Sequence, residues 1–498
     1  MRKIILFLCV CCLVGVAYAQ EPFRVMFYNV ENLFDCQHDT LKNDYEFLPD
    51  APKGWTRARY NDKLAKIAKV IVATGVKDVP DLVGLCEVEN DHCMKDLTEY
   101  SPLREAGYRY VMTDSPDQRG IDVALLYQRG SFKLLGKNSI RIPNEEIDRT
   151  PTRDILHVTG QVLSGDTLDV FVCHMPARSG GEEKSEPYRL FTAQILHASV
   201  DSLMNVRRHP NILIMGDFND YPTNNSIAKV LGAVAPKGEV QATKLYNLMD
   251  GRKDGTYRYR GEWGILDQLI VSGFLLQGHA GIRTSYDKAQ IVRFPFLLEE
   301  DEKYGGDIPF RTYWGRKYHG GFSDHLPVCV DFEIGKNQLI EEYEIEKDAL
   351  LKKIKKYAEE KGFKLKNSKV GMVFIPIDDN KEDEEAEDDD YTDEEFYKVK
   401  RELENAAIQV VYKIRDLEDA AKEALLELEE EIAKFVIDPL IEGLIEKYNS
   451  YEKVKAYLNN MRDDILEYVY LFYMDEEELK DKYDKEHFLK YKVNLFVD

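Results

Sequence analysis

Polar side chains that can bind a metal ion or move a proton follow several apolar runs of this sequence. They are Asn29 and Glu31 in "YNVEN", Glu87 in "GLCEVE", Asp217 and Asn219 in "GDFND", and Asp324 and His325 in "SDHLP". Carboxylate and amide oxygens suit a hard cation, Mg²⁺ or Mn²⁺, better than they suit zinc. Such an ion, with its bound water, stabilises the charge that develops on a transferring phosphoryl group. The set therefore predicts metal-assisted phosphoryl chemistry.

Other residues could complete such a site. A histidine beside a metal-binding aspartate activates water when another carboxylate orients its ring, and Asp267 in "ILDQLIVS" is the candidate partner of His325. Donors of the kind that hold phosphate are His174, Arg178, Arg119 and Arg189. Each residue alone also has a structural interpretation, because a single aspartate at a strand end commonly caps a turn. Asp267 is different, since a carboxylate inside an apolar run needs a partner.

The elements that must position these groups alternate between strands and helices. Apolar runs that predict strands span 23–30, 81–89, 121–127, 167–174, 211–219, 265–272 and 326–334. Apolar residues at helical spacing between 64 and 72, and the segment from Tyr188 to Val206, predict helices. Several strands are apolar on both faces, as expected where helices cover a sheet. The predicted class is a layered α/β fold with its site beyond the strand ends.

Seven motifs, in order along residues 22–334, resemble the endonuclease/exonuclease/phosphatase superfamily, whose deoxyribonuclease I-like members are metal-dependent phosphodiesterases. They are "YNVENLF", "GLCEVEN", "RGIDVALLY", "VCHMPAR", "MGDFND", "ILDQLIVS" and "FSDHLPV". The resemblance implies a four-layer α/β sandwich of two packed mixed sheets with helices outside.

The resemblance also implies roles for individual residues. The implied ligands of the divalent ion are Asn29, Glu31, Glu87 and Asp324. His325, oriented by Asp267, would be the general base or a phosphate contact. The water and the phosphate would be positioned by Asp217 and Asn219, with His174 at the phosphate or the leaving group. One metal ion and two both stay open.

The substrate class is narrowed by charge and by one segment. The stretch "HMPARSGGEEKSEPYR" resembles a branch of the superfamily found in secreted bacterial proteins and labelled as nucleases. Residues 1–335 contain 40 Lys+Arg and 45 Asp+Glu, a net charge of −5, so no broad basic surface is expected for gripping long nucleic acid. We expect an endonuclease acting on nucleic acid. The alternatives are a phosphatase or phospholipid-headgroup phosphodiesterase, and a binding protein that has lost turnover.

The first residues, "MRKIILFLCVCCLVGVAYAQ", combine a basic start, an apolar run and small residues before Gln20. This pattern predicts a signal peptide at 1–19 and export to the periplasm or beyond, with a membrane anchor as the alternative. No other apolar run approaches a membrane span, so no stable membrane insertion is expected. Five cysteines follow the signal. Cys173 and Cys329 are expected to be buried thiols, and a disulfide between Cys86 and Cys93 stays open.

The composition changes at residue 336. Residues 336–498 contain 27 Lys+Arg and 45 Asp+Glu, a net charge of −18, and none of the eight cysteines or three tryptophans. We predict a helix at 338–361, a strand at 369–377, an acidic loop at 378–390 and a helix at 451–472. Between them, apolar residues from Phe396 to Phe435 recur at steps of three and four, which predicts a coiled-coil-like helix needing a partner. The predicted division is therefore 1–19, 20–335 and 336–498.

The second part also resembles a known region. Segments such as "IRDLEDAAKEALLELEEEIAKFVIDPLIEGLIEKY", within about 336–473, resemble an inserted helical region of Lon-like ATP-dependent proteases. The sequence contains no "GxxxxGK[ST]" motif, so the resemblance implies a helical module without an ATPase or protease core. Two other interpretations remain. In the first, the protein self-associates or docks through a coiled coil and its first domain is inactive. In the second, the chain is a fusion of two unrelated pieces.

Overall fold

The computed structural model describes residues 22–75, 78–147, 150–278, 281–368, 371–377 and 394–468. The predicted signal peptide, the acidic loop 378–390 and the end of the last predicted helix lie outside the described residues. The chain divides into two compact units: one contains Pro22–Gly335 and the segment from Glu431 onward, and the other contains Lys336–Glu430. Within the described ranges, no helix is both long enough and apolar enough to cross a bilayer.

The first sheet carries Asn29 and Glu87, and the loop that contains Asp324 leads into its strand Val328–Ile334. In spatial order its strands are Ile282–Arg283, Val328–Ile334, Phe23–Leu33, Leu82–Val88, Asp122–Tyr127 and Arg109–Met112, and Ala289–Ile291 also pairs with Val328–Ile334. Phe23–Leu33 runs parallel to Leu82–Val88 and antiparallel to Val328–Ile334. The sheet is therefore mixed.

The second sheet carries His174, Asp217 and Asp267. Its strands, in spatial order, are Phe132–Ile140, Ile155–Val162, Thr167–His174, Ile212–Asp217, Asp267–Ser272 and Leu245–Asn247. Thr167–His174 and Ile212–Asp217 are parallel, whereas Ile212–Asp217 and Asp267–Ser272 are antiparallel. This sheet is also mixed. Small hairpins project from the loops, at Tyr257–Tyr259 with Glu262–Gly264, Leu298–Glu300 with Asp307–Pro309, and Tyr313–Trp314 with Lys317–Tyr318.

The two sheets pack face to face, and each has a helix on its outer side. Apolar residues of both sheets, such as Phe27 and Leu213, form one central core. Glycine at position 84 favours close approach of the sheets, because a Cβ there would lie 2.9 Å from the end of the Met215 side chain, which would have to move. The helix Arg57–Thr74 packs on the first sheet and the helix Glu182–Val206 on the second. The predicted α/β sandwich is confirmed.

Several predicted elements differ from the observed ones at their ends. Thr167–His174 begins and ends as predicted, whereas the predicted strand 23–30 continues to Leu33. The helix predicted from Tyr188 begins earlier, at Glu182, and contains Pro187. The edge strand Phe132–Ile140 was not predicted, because most of its side chains are exposed and no apolar alternation marks it. The short helices Asp91–Lys95 and Gly273–Gln277 were also not predicted.

The second unit begins with the helix Lys336–Glu360, followed by a hairpin of Phe363–Ser368 and Gly371–Pro376. The helix Glu394–Lys447 then contributes Leu403 to a small buried cluster with Ala358 and Phe363. Most other described residues of its predicted apolar seam are only partly buried. The last described helix is Glu452–Glu467. All five described cysteines are free, and Cys86, Cys93, Cys173 and Cys329 are buried.

Candidate active site

Strand register brings three of the predicted residues side by side. In the second sheet His174 lies opposite Asp217, and Asp217 lies opposite Asp267. Directly opposite residues of neighbouring strands project from the same face of a sheet, so the three side chains form a row. From the first sheet, the Asn29 side chain donates a hydrogen bond of 3.1 Å to Asp217 Oδ2. The site therefore joins the ends of both sheets.

His325 completes this row from the loop that precedes the strand Val328–Ile334. Its Nδ1 lies 2.8 Å from Asp267 Oδ2, and its Nε2 lies 3.8 Å from Asp217 Oδ2. Burial alone would lower the pKa of His325, but the charges of Asp267 and Asp217 hold it well above its ordinary value. The ring also lies 4.9 Å from the ring of Tyr257, centroid to centroid. Asp267 thus orients the imidazole and leaves Nε2 facing the centre of the site.

Backbone conformation marks the same positions. Of the residues that the structure describes, five that are not glycine have a positive φ, and four of them belong to the site. These four are Glu31, Asn32, Glu87 and Asn219, with φ between 50° and 63°. The strands are irregular in register between Asn29 and Leu33 and between Cys86 and Val88. Such irregularities redirect side chains at strand ends, and strained residues cluster at functional sites.

Glu87 contacts residues of both sheets. Its Oε2 accepts a hydrogen bond of 2.9 Å from the backbone N–H of Asn32, and its Oε1 is 3.9 Å from His174 Nε2. His174 Nε2 is also 3.7 Å from Asp217 Oδ2. Burial, with the charges of Arg153 and Arg119, lowers the pKa of His174 well below its ordinary value. A neutral His174 can therefore present one N–H to an oxygen at this place.

Glu31 and Asp324 face a loop that carries Arg311. Glu31 accepts backbone hydrogen bonds from Thr312 at 2.6 Å and from Tyr313 at 3.3 Å. Arg311 donates to Asp324 Oδ2 at 2.6 Å and lies 3.8 Å from Glu31. Burial, followed by the charge of Asp324, raises the pKa of Glu31 to about 7. Both carboxylates thus hold this loop in place as well as contributing negative charge to the site.

Sequence reasoning missed Lys63, which lies fully buried behind these acids. Its ammonium donates to Thr312 Oγ1 at 2.6 Å and to the Phe322 carbonyl at 2.5 Å. Burial lowers the pKa of Lys63 to about 8, against the opposing charges of Glu31, Asp324 and Glu87. Neither Lys63 nor Arg311 could be singled out beforehand, because the first is one of several lysines in a helix and the second lies in a long loop without periodicity.

The three predicted phosphate-binding arginines have different surroundings. Arg119 is about half exposed, donates to Asn32 Oδ1 and lies 4.0 Å from Glu87, so it lies at the site. Arg178 donates to the Asn219 carbonyl at 2.6 Å and lies 3.2 Å from Asp220, which fixes the loop carrying Asn219. Arg189 has no exposed surface and pairs with Asp220 at 2.8 Å. The prediction that Arg189 contacts substrate phosphate is wrong, because a wholly buried guanidinium cannot reach a substrate.

The remaining predicted residue, Asn219, is fixed by two hydrogen bonds. Its backbone N–H donates to Asp217 Oδ1 at 2.9 Å, and its side-chain amide donates to the Met175 carbonyl at 3.1 Å. The structure therefore brings eleven of the twelve predicted site residues to one region, where Arg178 supports a loop. They are Asn29, Glu31, Glu87, Arg119, His174, Arg178, Asp217, Asn219, Asp267, Asp324 and His325, while Arg189 lies one layer further in, behind Asp220.

The donor set fits a hard divalent cation. Asp217, Asp267 and His325 offer ligand atoms within 4.8 Å of one another. Asn29 donates to Asp217 through its Nδ2, and Glu87 Oε1 lies 3.9 Å from His174 Nε2, so both side chains adjoin this cluster. Asp267 Oδ1 is buried and has no hydrogen-bond partner. Burial, reinforced by Asp267 and opposed by His325, raises the pKa of Asp217 to about 7. This concentration of negative charge is the environment that a bound cation relieves.

The family is established by the sequence match. Residues 24–334 match the Endonuclease/Exonuclease/phosphatase family, and the chain belongs to that family. Its members are metal-dependent phosphodiesterases or phosphatases, so the protein is a metal-dependent phosphoester hydrolase. No match was found among curated proteins. The resemblance of residues 336–473 to Lon-like proteases stays a prediction.

Several solved structures resemble this chain. A Bacteroides thetaiotaomicron mannosyl-6-phosphatase is 17% identical, with 62% of this chain and 99% of that chain covered and a TM-score of 0.40. The human Nocturnin catalytic domain with bound sulfate is 18% identical, with 63% and 94% covered and a TM-score of 0.38. D. rerio TDP2 complexed with a single-strand DNA product is 13% identical, with 62% and 98% covered and a TM-score of 0.39.

Proposed function

We propose that this protein is an exported endonuclease that uses a divalent metal ion to hydrolyse phosphodiester bonds of nucleic acid. The observation that carries the proposal is the buried pair of His325 and Asp267, whose free Nε2 faces Asp217 at 3.8 Å. Asp267 and Asp217 hold the pKa of His325 high, so this imidazole would accept a proton from water once a bound divalent cation offsets the charge of those carboxylates. Asp217 and Asn219 lie where they can orient that water.

The metal ion, Mg²⁺ or Mn²⁺, would be held by oxygens of Asn29, Glu87, Glu31 and Asp324, and would stabilise negative charge on the phosphoryl group. The protein's own donors assist with the same charge. Arg119 is exposed beside Glu87 and can bind a phosphate oxygen. A neutral His174 can donate its Nε2–H to a second oxygen or to the departing group.

A nucleic acid is the proposed substrate because a basic segment adjoins the site although the domain is acidic overall. The segment from Arg311 to Lys317 contains three basic residues and no acidic one. It connects directly to the site, since Arg311 contacts Asp324 at 2.6 Å. A local cluster of this kind supports binding of a phosphate next to the one that is cut.

The proposal is tested with a substrate panel. Plasmid DNA, RNA, bis-p-nitrophenyl phosphate, p-nitrophenyl phosphate and a phosphoinositide are incubated with full-length protein and Mg²⁺ or Mn²⁺. We expect cleavage of nucleic acid and of the synthetic diester, loss of both with EDTA, and loss of both in His325→Ala and Asp217→Ala. His197→Ala, at a partly exposed histidine on the helix Glu182–Val206, is the matched control.

Other outcomes would contradict this assignment in different ways. Hydrolysis of the monoester or the phosphoinositide without nucleic-acid cleavage would replace the endonuclease with a phosphatase or headgroup phosphodiesterase. Activity that survives EDTA would contradict the metal site. Deletion of 336–498 tests the third class of function, and undiminished activity would exclude the helices as the working part.

Export is tested separately. The full sequence is produced in a bacterial host, and the protein from the periplasm and the medium is analysed by intact mass. We expect an amino terminus at Gln20, in agreement with the predicted signal peptide at 1–19. Recovery of the uncleaved chain from the cytoplasm alone would contradict export.

A further inference from the structure

Four exposed aromatic residues lie on segments that adjoin the candidate active site or pack against such segments. Tyr221, Tyr259, Tyr304 and Trp314 have 40%, 59%, 46% and 43% of their surface exposed. We call these four residues the aromatic rim. Large aromatic side chains left in water at one place on a surface are typical of a binding site, because their exposure is unfavourable unless a ligand covers them.

Tyr259 is linked to the catalytic histidine through its hairpin. Tyr257 forms an antiparallel bridge with His325, and their rings are 4.9 Å apart. Tyr259 lies two residues further along the same strand, so its side chain projects from the same face as that of Tyr257. A chain that passes over His325 and Tyr257 therefore meets Tyr259 next.

Two further rings pack against this hairpin. A Cβ at position 264 would lie 2.4 Å from Tyr221 Cε1, and a Cβ at position 261 would lie 3.0 Å from Tyr304 Cβ. Glycine at these positions lets the two tyrosines approach the hairpin backbone closely. Arg258 strengthens the arrangement, because it donates to the carbonyls of Gly305 and Asp307, both at 2.6 Å. Tyr221 and Tyr304 are therefore packed against the hairpin that carries Tyr259 before any ligand binds.

Each ring of the rim is accompanied by a cation. The guanidinium of Arg178 lies 4.4 Å from the Tyr221 ring, and that of Arg260 lies 5.1 Å from the Tyr259 ring. Lys303 Nζ lies 4.9 Å from the Tyr304 ring. Arg311, which contacts Asp324, lies 4.9 Å from the Trp314 ring. Aromatic faces interleaved with positive charge suit a ligand that has both flat rings and phosphates.

We propose that the aromatic rim stacks unpaired bases, so that this site acts on single-stranded nucleic acid; the inference rests on the proposed nuclease function. A duplex keeps its bases stacked inside, where the four rings cannot reach their faces. It would have to be held by phosphate contacts, and the net charge of −5 over residues 1–335 does not favour a broad basic surface. Single strands expose base faces, and stacking binds them with few charges.

The test compares substrates that offer the rim different contacts. A single-stranded oligonucleotide, its duplex, an abasic strand of the same length and bis-p-nitrophenyl phosphate are cleaved by the full-length protein. We expect the single strand to be preferred over both the duplex and the abasic strand. For Tyr259→Ala and Trp314→Ala, we expect kcat/KM on the single strand, divided by kcat/KM on bis-p-nitrophenyl phosphate, to fall about 5- to 100-fold each.

Conservative and distant variants complete the design. Tyr259→Phe and Trp314→Phe keep a stacking face and should retain most of the preference for single strands. Tyr100→Ala removes a ring that is 69% exposed outside the rim and should keep the wild-type ratio. Binding of a labelled single strand in EDTA, measured by fluorescence anisotropy, should weaken in the two alanine variants, and thermal melting checks their folding.

The outcomes separate the two proposals. Wild-type preference for the duplex, or alanine variants that cleave and bind single strands as the wild type does, would overturn the rim while leaving the nuclease assignment standing. Cleavage of bis-p-nitrophenyl phosphate with no cleavage of any nucleic acid would overturn both. Equal cleavage of the abasic and the complete strand would show that phosphates alone are read.

Discussion

Replacing Asp267 by asparagine is expected to slow hydrolysis by acting through His325. Asp267 Oδ2 lies 2.8 Å from His325 Nδ1, and both side chains are buried. When His325 accepts a proton, it gains a positive charge roughly 4 Å from the carboxylate. Two such charges attract by about 4 kcal/mol at an effective dielectric constant of about 20. Asparagine keeps a dipole but loses the charge, so we expect kcat to fall by about 10²- to 10³-fold.

The assay is the initial rate on bis-p-nitrophenyl phosphate at saturating Mg²⁺, for Asp267→Asn, His325→Ala and the double variant. If Asp267 acts only through His325, the double variant should be no slower than His325→Ala. Asp201→Asn, at an exposed position on the helix Glu182–Val206, is the matched control. Single losses that multiply in the double variant would refute the idea that Asp267 works by orienting and stabilising His325.

Three further variants test supporting contacts. Lys63→Met removes the buried ammonium that donates to Thr312 and Phe322, and should lower the free energy of unfolding by about 1–3 kcal/mol in denaturant titration. An unchanged free energy of unfolding would mean that this ammonium does not hold the loop between Thr312 and Phe322. Arg189→Met removes the guanidinium that pairs with the buried Asp220, so the free energy of unfolding should fall by about 3 kcal/mol while KM stays constant. A raised KM with an unchanged free energy of unfolding would instead show that Arg189 contacts the substrate. Asp169 accepts hydrogen bonds from His157 and Arg207; burial alone would raise the pKa of Asp169, but these bonds hold it below its ordinary value of 3.8. A lowered pKa stabilises the folded state at neutral pH and loses that effect as pH falls through it, so Asp169→Asn should cost about 2 kcal/mol at pH 7 and little in acid below the folded pKa. A cost that persists in acid would contradict this cause.

Local pattern was sufficient for most of the inner strands and for the positions of polar residues at their ends, but it did not predict Ile155–Val162, an inner strand of the second sheet. Thr167–His174 is a run of apolar residues ending in a histidine, and its strand begins and ends as predicted. Buried strands of this kind are recognisable because a short apolar run bounded by turn residues is itself the signal of a buried strand. The edge strand Phe132–Ile140 lacks that signal, since tertiary pairing with Ile155–Val162 rather than apolar alternation makes it a strand.

The amino-acid sequence alone determined the types of side chain at the strand ends and the chemistry that these acids and histidines permit. Which side chains reach a substrate was decided by packing. Arg178 and Arg189 look alike in the sequence, yet Arg189 is wholly enclosed and Arg178 is partly exposed. Lys63 meets Thr312 across 249 positions of the chain, and the aromatic rim gathers residues from Tyr221 to Trp314. Such contacts depend on how distant segments fill space together, and no short-range periodicity in a sequence records that.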